Sequence, residues 1–284
     1  MLRFEDQIIP LDSWINQFID WLVEGYRWFF QAIKWPVEFT LTGFETGLLA
    51  VPPLVVILVF VAIAWKSSGF RLALFTAITL VLIGLLGLWE DTMITLAMVF
   101  SSVFFCVLAG IPLGIWAGRS DRFEAIIRPC LDAMQTTPAF VYLVPIVMLF
   151  SIGNVAGVLA TIVFALPPLI RLTSLGLRQV HPELVEAGFA LGATNWQVLR
   201  KVQIPLALPT IMAGLNQTIM MALSMVVIAA LIGAGGLGSP VILGLNTMDI
   251  GQATIGGLAI VLMAIILDRI TQSMSHKNNT QGGD

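Results

Sequence analysis

Residues 93–117 read MITLAMVFSSVFFCVLAGIPLGIWA, an apolar run flanked by Glu90 and Asp91 on one side and Arg119 on the other. A helix rises about 1.5 Å per residue, so the run reaches about 37 Å and exceeds the ~30 Å hydrocarbon core of a bilayer. Six further segments also lack Asp, Glu, Lys, Arg and His: 47–65, 72–89, 139–152, 154–170, 210–234 and 251–267. Segment 139–152 is short and is expected to begin upstream, within uncharged Met134 to Pro138. Long continuous apolar runs, rather than short alternating ones, select helices over a transmembrane barrel. The expected fold is an all-α polytopic membrane protein with about seven transmembrane helices.

Composition agrees. The chain has 284 residues, 58% of them hydrophobic and 11% charged, where a soluble domain carries about a quarter charged residues. That shortage excludes an ordinary soluble enzyme and a disordered chain. It also leaves no basic stripe for nucleic acid. Cys106 and Cys130 show no metal-ligand spacing and read as packing thiols rather than a redox pair; no metal site is expected. The start, Met1 to Asp6, lacks the basic-then-apolar pattern of a signal peptide.

The basic residues set an orientation. Eleven of 14 fall in one set of connections: Lys66, Arg71, Arg119, Arg122, Arg128, Arg171, Arg178, Arg200, Lys201, Arg269 and Lys277. The opposite short loops hold Glu90, Asp91 and Asp249. The basic side is taken as cytoplasmic, which places the C-terminus inside and, with seven crossings, the N-terminus outside. Trp14, Phe18, Trp21, Leu22, Trp28 and Phe29 recur at helical spacing within the N-terminal tail, opposite Asn16, Gln17, Asp20, Glu24, Arg27 and Gln31. This predicts an amphipathic helix, either in the outer membrane interface or docked on the spans. Ser273 to Asp284 reads as a short polar tail.

No ionisable residue interrupts the seven segments, which argues against an ion-driven carrier, since coupling residues usually sit at membrane depth. Nor does the chain contain G-x-x-x-x-G-K-[ST]. Any active transport would therefore draw its energy from another polypeptide, and no cofactor is expected in this chain.

The longest internal connection, Arg171 to Pro209, contains HPELVEAGFALGATNWQ over 181–197. Pro182 suits a first helical position, with Glu183 and Glu186 near the positive end. Gly192 is placed to end that helix in the left-handed region. Thr194 and Gln197 form a capping box for a second helix. Pro205 is expected to turn the chain back towards the membrane. The result would be a projecting helical knob. Its helix–turn–helix look does not indicate DNA binding, because membrane spans tether it and Arg200-Lys201 is its only basic cluster.

Glu186-Ala187-Gly188, three residues, Gly192, nine residues, then Val202-Gln203-Ile204-Pro205 is similar to the E-A-A-x3-G-x9-I-x-L-P signature. That signature belongs to the membrane subunits of binding-protein-dependent ABC importers. Gly188, Val202 and Ile204 depart conservatively from it. The resemblance covers 92–271 as a type I permease core. It implies that the loop, including Ala193 and Pro205, docks into a separate cytoplasmic ATPase that holds ATP-Mg. It also implies an extracytoplasmic solute-binding protein, a homodimer of this chain and a bacterial inner-membrane location. Residues 131–145, LDAMQTTPAFVYLVP, together with Gly233 to Gly238 and the acidic tail, resemble the glycine betaine/proline betaine or choline subgroup. Ser151 stands where that subgroup would have Gly. In this reading 1–46 is the extracytoplasmic tail, 47–91 two additional helices, 92–271 the core and 272–284 the cytoplasmic tail. An importer for another solute such as an amino acid, an ion-driven carrier and a non-transporting assembly subunit are the alternatives.

Gly110, Gly114 and Gly118 form overlapping G-x-x-x-G patterns and predict a close helix contact, within the chain or across a homodimer; Pro112 suggests a kink. Gly233 to Gly238 matches G-x-G-x-x-G but follows an apolar helix rather than a strand, so a glycine turn is expected. The eight Trp and two Tyr suit interface anchoring better than an aromatic cage. Gln135, Tyr142, Asn216 and Gln217 are polar residues at depth, candidates for a translocation path or for buried structural hydrogen bonds.

Overall fold

The computed structural model describes residues 11–280. Expectations for 1–10 and 281–284 lie outside the described residues. The seven apolar segments are mostly helical, with residues 51–52, 86–88, 151–152 and 231–234 outside the helices, and every assigned element among the described residues is helical. In order these are α1 (Leu11–Gly25), α2 (Arg27–Ala50), α3 (Pro53–Ser68), α4 (Phe70–Leu85), α5 (Trp89–Arg119), α6 (Asp121–Thr136), α7 (Ala139–Phe150) and α8 (Asn154–Arg178). There follow α9 (Pro182–Ala190), α10 (Asn195–Val198), a π-helical turn (Leu199–Gln203), α11 (Ile204–Ala230), α12 (Gly238–Thr247) and α13 (Ile250–Thr280). The last helix thus continues to Thr280, into the stretch read as a polar tail.

Four helices are long and apolar enough to cross a membrane alone, or up to six spans if two bent pairs each count as one. The bends are where prolines act. Between α2 and α3 the axis turns by 105°, and between α6 and α7 by 98°. Val51 and Pro52 are extended, with ψ of 131° and 139°, because a residue before proline is pushed out of the helical region. Thr137, before Pro138, is extended for the same reason. The expected straight spans over 47–65 and from Met134 onward are therefore broken ones. By contrast, α5 runs on through Pro112.

The core is organised around α8, which has no exposed side chain between Asn154 and Ile170. One flank receives α5. A Cβ on Gly114 would lie 2.5 Å from Thr173 Cβ, and Cβ atoms on Gly110 and Gly118 would lie 3.0 Å and 3.1 Å from Leu169 and Leu177 side chains. The three-glycine face thus packs within one chain, against residues spaced by four on α8. The other flank receives α11, where Gly176 approaches Ala207 and Thr210 and Gly214 approaches Leu172. Four buried hydroxyls find carbonyls, which an apolar solvent favours: Ser101 donates to Ala97, Ser102 to Met98, Thr161 to Gly157 and Thr218 across to Ala165; those of Thr76, Thr173 and Ser174 are buried without a hydrogen-bond partner among the described residues. Cys106 is buried and Cys130 exposed, both as free thiols.

The N-terminal region divides into two. Val37 and Leu41 of α2 are buried with Ala97, Met98 and Val158, and Phe30 meets Phe150 edge-on. The aromatic face of α1 remains uncovered, with Trp14, Phe18 and Trp21 all more than half exposed. At the far end, the Gly233–Gly238 turn adopts positive φ at Gly233 and Gly236. It is held down by Asn154, which accepts from the Gly235 N–H at 2.6 Å, and by Thr95, which accepts from the Leu237 N–H at 2.8 Å.

Candidate functional site

The knob over 181–203 forms as its sequence dictates. Pro182 opens α9, where its missing N–H would have had no helical partner anyway. Gly192 closes it at φ 80°. The Gly192 N–H donates to Phe189 O at 2.9 Å and the Ala193 N–H to Gly188 O at 3.1 Å, the paired bonds of a Schellman turn. Thr194 then caps α10: its N–H donates to Gln197 Oε1 at 2.8 Å, and its hydroxyl accepts from the Gln197 N–H at 3.4 Å. These bonds satisfy backbone groups that helix ends otherwise leave open.

Pro205 does not end the second helix. Asn195 to Ala230 is a continuous helical rod of 36 residues. The π-turn explains why: the Ile204 N–H bonds to Leu199 O, five residues back. The widened turn admits the proline ring and its missing donor without breaking the rod.

Packing separates the two glycines of the motif. A Cβ on Gly188 would lie 3.2 Å from Val198 Cγ2, so its small size lets α9 rest on α10. Gly192 has open space around it; its requirement is conformational. Val198 and Leu199 are buried, and Leu199 joins Leu177, Ala207 and Ile211 to anchor the knob to the ends of α8 and α11. Glu186 and Ala187 are exposed and Ala193 half-buried. Glu186 carries no hydrogen-bond or ion-pair partner among the described residues. Around them lie exposed Leu184, Phe189, Leu191 and Trp196, Leu191 at 88%. An open groove of about 410 Å³ is lined by Gly188, Leu191, Gly192, Ala193, Gln197 and Lys201 among others. The knob thus presents exposed apolar side chains beside two acids, Glu183 and Glu186, without ion-pair partners among the described residues; apolar surface of this kind marks contact sites.

Behind the knob, Arg178 at the end of α8 is a clamp. It pairs with Asp121 at 2.7 Å and Glu124 at 2.6 Å, and donates to Ala117 O at 2.8 Å. Arg171 pairs with Asp132 at 2.5 Å. Together they hold α6 against α8 beside a cavity of about 290 Å³. The sequence reading missed both pairs, which join residues 39 and 57 positions apart; no local spacing signals such contacts.

The four polar residues at depth do not converge. Asn216 turns towards α13, donating to Asp268 at 2.9 Å and accepting from the Thr271 hydroxyl. The Tyr142 hydroxyl is buried without a partner, Gln135 is half-buried near the end of α6, and Gln217 is exposed on α11.

A family model described as the inner membrane component of binding-protein-dependent transport systems matches residues 110–277. The chain belongs to this family. The glycine betaine/proline betaine transport system permease protein ProW of Escherichia coli (strain K12) is 55% identical over 279 residues, 98% of this chain and 79% of that protein. The glycine betaine transport system permease protein OpuAB of Bacillus subtilis (strain 168) is 46% identical over 274 residues, 96% and 97% respectively. An inward-facing structure of the MetNI methionine ABC transporter matches with a TM-score of 0.55 at 27% identity, covering 66% of this chain and 92% of that one. The permease is accordingly a multi-pass inner-membrane transport subunit with a type I ABC permease core. Its knob and arginine clamp lie at the same ends of α8 and α11.

Proposed function

We propose that this permease is the membrane pathway of an ATP-driven importer for a quaternary-ammonium solute, glycine betaine or proline betaine, with choline as a further substrate. The observation that carries the reading is the continuity of the knob with a membrane span: Asn195 to Ala230 is one rod, so a displacement at the knob moves the span. A separate cytoplasmic ATPase, binding Mg-ATP, would grip the face formed by Glu186, Ala187, Gly192 and Ala193. The open groove and the exposed apolar side chains support that role. Closure of two ATPase subunits would draw two knobs together and open the path outward; hydrolysis would reset it. Two copies of this chain and one extracytoplasmic binding protein complete the assembly. The basic ends of the helices face the cytoplasm, with the N-terminus outside and α1 in the outer headgroup zone. The 55% and 46% relatives, both named for glycine betaine transport, support the choice of solute.

The test is uptake of labelled glycine betaine into vesicles holding the permease with its copurified ATPase and binding protein. Uptake that requires ATP and all three components is expected. Uptake by this chain alone, driven by a sodium or proton gradient, would overturn the reading in favour of a secondary carrier. Binding of the ATPase without flux of any solute would leave only an assembly role.

A further inference from the structure

The outward side of α11 carries a stripe that the packing of the chain does not use. Besides Pro205 at its start, its exposed residues are Leu206, Ala213, Gln217 and Ser224, continued by Leu231 just past the helix end, separated by seven, four, seven and seven positions, which is one face of an α-helix. Met220 and Met221 lie half-buried between Gln217 and Ser224. Gln217 is at the midpoint of Ile204–Ala230, and its amide has no hydrogen-bond partner among the described residues. Ser224 donates to its own turn, to Met220 O at 2.9 Å, which leaves its oxygen free to accept.

On α5 and α13 the exposed mid-helix side chains are apolar. On α5 they include Phe104, Leu108 and Trp116; on α13 they are Ile255, Leu258, Val261 and Ile265. Those faces suit lipid tails. An unpaired carboxamide at the centre of a bilayer does not, because hydrocarbon offers no partner for its donors and acceptor.

We infer that the Ala213–Gln217–Ser224 face of α11 is a wall of the water-filled passage, and that Gln217 and Ser224 are the polar groups that meet the solute there. The inference deepens the importer reading and rests on it. A quaternary-ammonium zwitterion has a carboxylate that accepts hydrogen bonds and a cationic end that donates none. The Gln217 amide N–H can serve the first, and the Met220 and Met221 thioethers can lie against the second. No fixed charge stands on this face, so neither end of the zwitterion is held strongly, and a passage must release what it admits. Asn216, one residue away, is bound to Asp268 and Thr271 on α13, which fixes the rotation that leaves Gln217 outward. Because wall and knob belong to one unbroken helix of 36 residues, ATPase movement would reach the solute contacts through it.

The experiment uses the full importer in vesicles, with Cys106→Ala and Cys130→Ser as parent. Single cysteines are placed at Ala213, Gln217 and Ser224, and at Leu258 and Val261 on α13. The probe is a membrane-impermeant trimethylammonium methanethiosulfonate, with total thiol counted after denaturation. It reacts with thiolate, which forms only where water reaches, so the three α11 positions should label at least about tenfold faster than the α13 pair. Equal labelling, or protection of the α11 positions as in a dry contact with a second copy, overturns the inference. ATP-driven glycine betaine uptake by the parent is measured separately: its absence would overturn the importer reading, while the labelling contrast would still decide the position of the wall.

Discussion

Replacing each of the three α5 glycines by alanine makes one chemical change at three points of one interface, with costs set by what each new methyl meets. At Gly110 the Cβ would lie 3.0–3.2 Å from the Leu169 and Leu166 side-chain ends, which can rotate away. At Gly118 it meets Leu177 at 3.1 Å and the Ser174 carbonyl at 3.2 Å, so the neighbours must give by a few tenths of an ångström. At Gly114 it would lie 2.5 Å from Thr173 Cβ and 2.9 Å from the Ile170 carbonyl oxygen. Ordinary carbon contacts are about 3.5–4.0 Å, so α5 and α8 must part there by roughly 1 Å. Overpacking of this kind costs about 1–3 kcal/mol. Against it stands the gain in helix propensity of alanine over glycine, about 1 kcal/mol. Gly110→Ala should therefore be near neutral, Gly118→Ala mildly destabilising, and Gly114→Ala destabilising by about 1–2 kcal/mol, a factor of 5–30 in the folded ratio. Denaturant or thermal unfolding of the purified protein in detergent, followed by size-exclusion chromatography, reads the order. A Gly114→Ala protein as stable as wild type, or a Gly110→Ala protein that is the least stable of the three, would refute the claim that α5 and α8 touch through this face.

Three further outcomes follow from the same geometry. Gly192→Ala forces a Cβ into the left-handed region at about 1–2 kcal/mol and should weaken ATPase association about tenfold, whereas Gly192→Asn, which tolerates that region, should retain more; copurification of the ATPase reads both, and two variants indistinguishable from wild type would remove Gly192 from the turn's requirements. Thr194→Ala removes the cap at about 1 kcal/mol, so hydrogen exchange across 195–198 should rise about fivefold while α8 is unchanged, and Thr194→Ser should restore protection. Asp121 is 91% exposed, so Asp121→Asn should be nearly silent, as surface pairs are. Arg178→Gln also loses Glu124 and the Ala117 carbonyl and should raise hydrogen exchange over 121–128; equal effects of the two changes would contradict the clamp.

Much of the knob was legible because its rules are local. Pro182, Gly192, Thr194 and Gln197 act within five residues of themselves, and each takes the role its chemistry predicts. The breaks at Pro52–Pro53 and Thr137–Pro138 were equally local and were overlooked, because hydropathy ran smoothly across them. Pro205 misled in the opposite sense: proline usually interrupts a helix, and here a π-turn made room for it.

The sequence by itself determined that this chain lives in a membrane, because 11% charged residues cannot clothe a soluble protein of this size. It also determined the form of the knob and the family its spacing resembles. Tertiary structure alone decided which partners the glycines and polar residues meet. Gly110, Gly114 and Gly118 could have served a second copy, but α8 fills them. Asn216 and Gln217 are neighbours in sequence, yet a helix turns about 100° per residue, so one binds α13 and the other faces outward. Only the packing of α11 between α8 and α13 fixes that rotation.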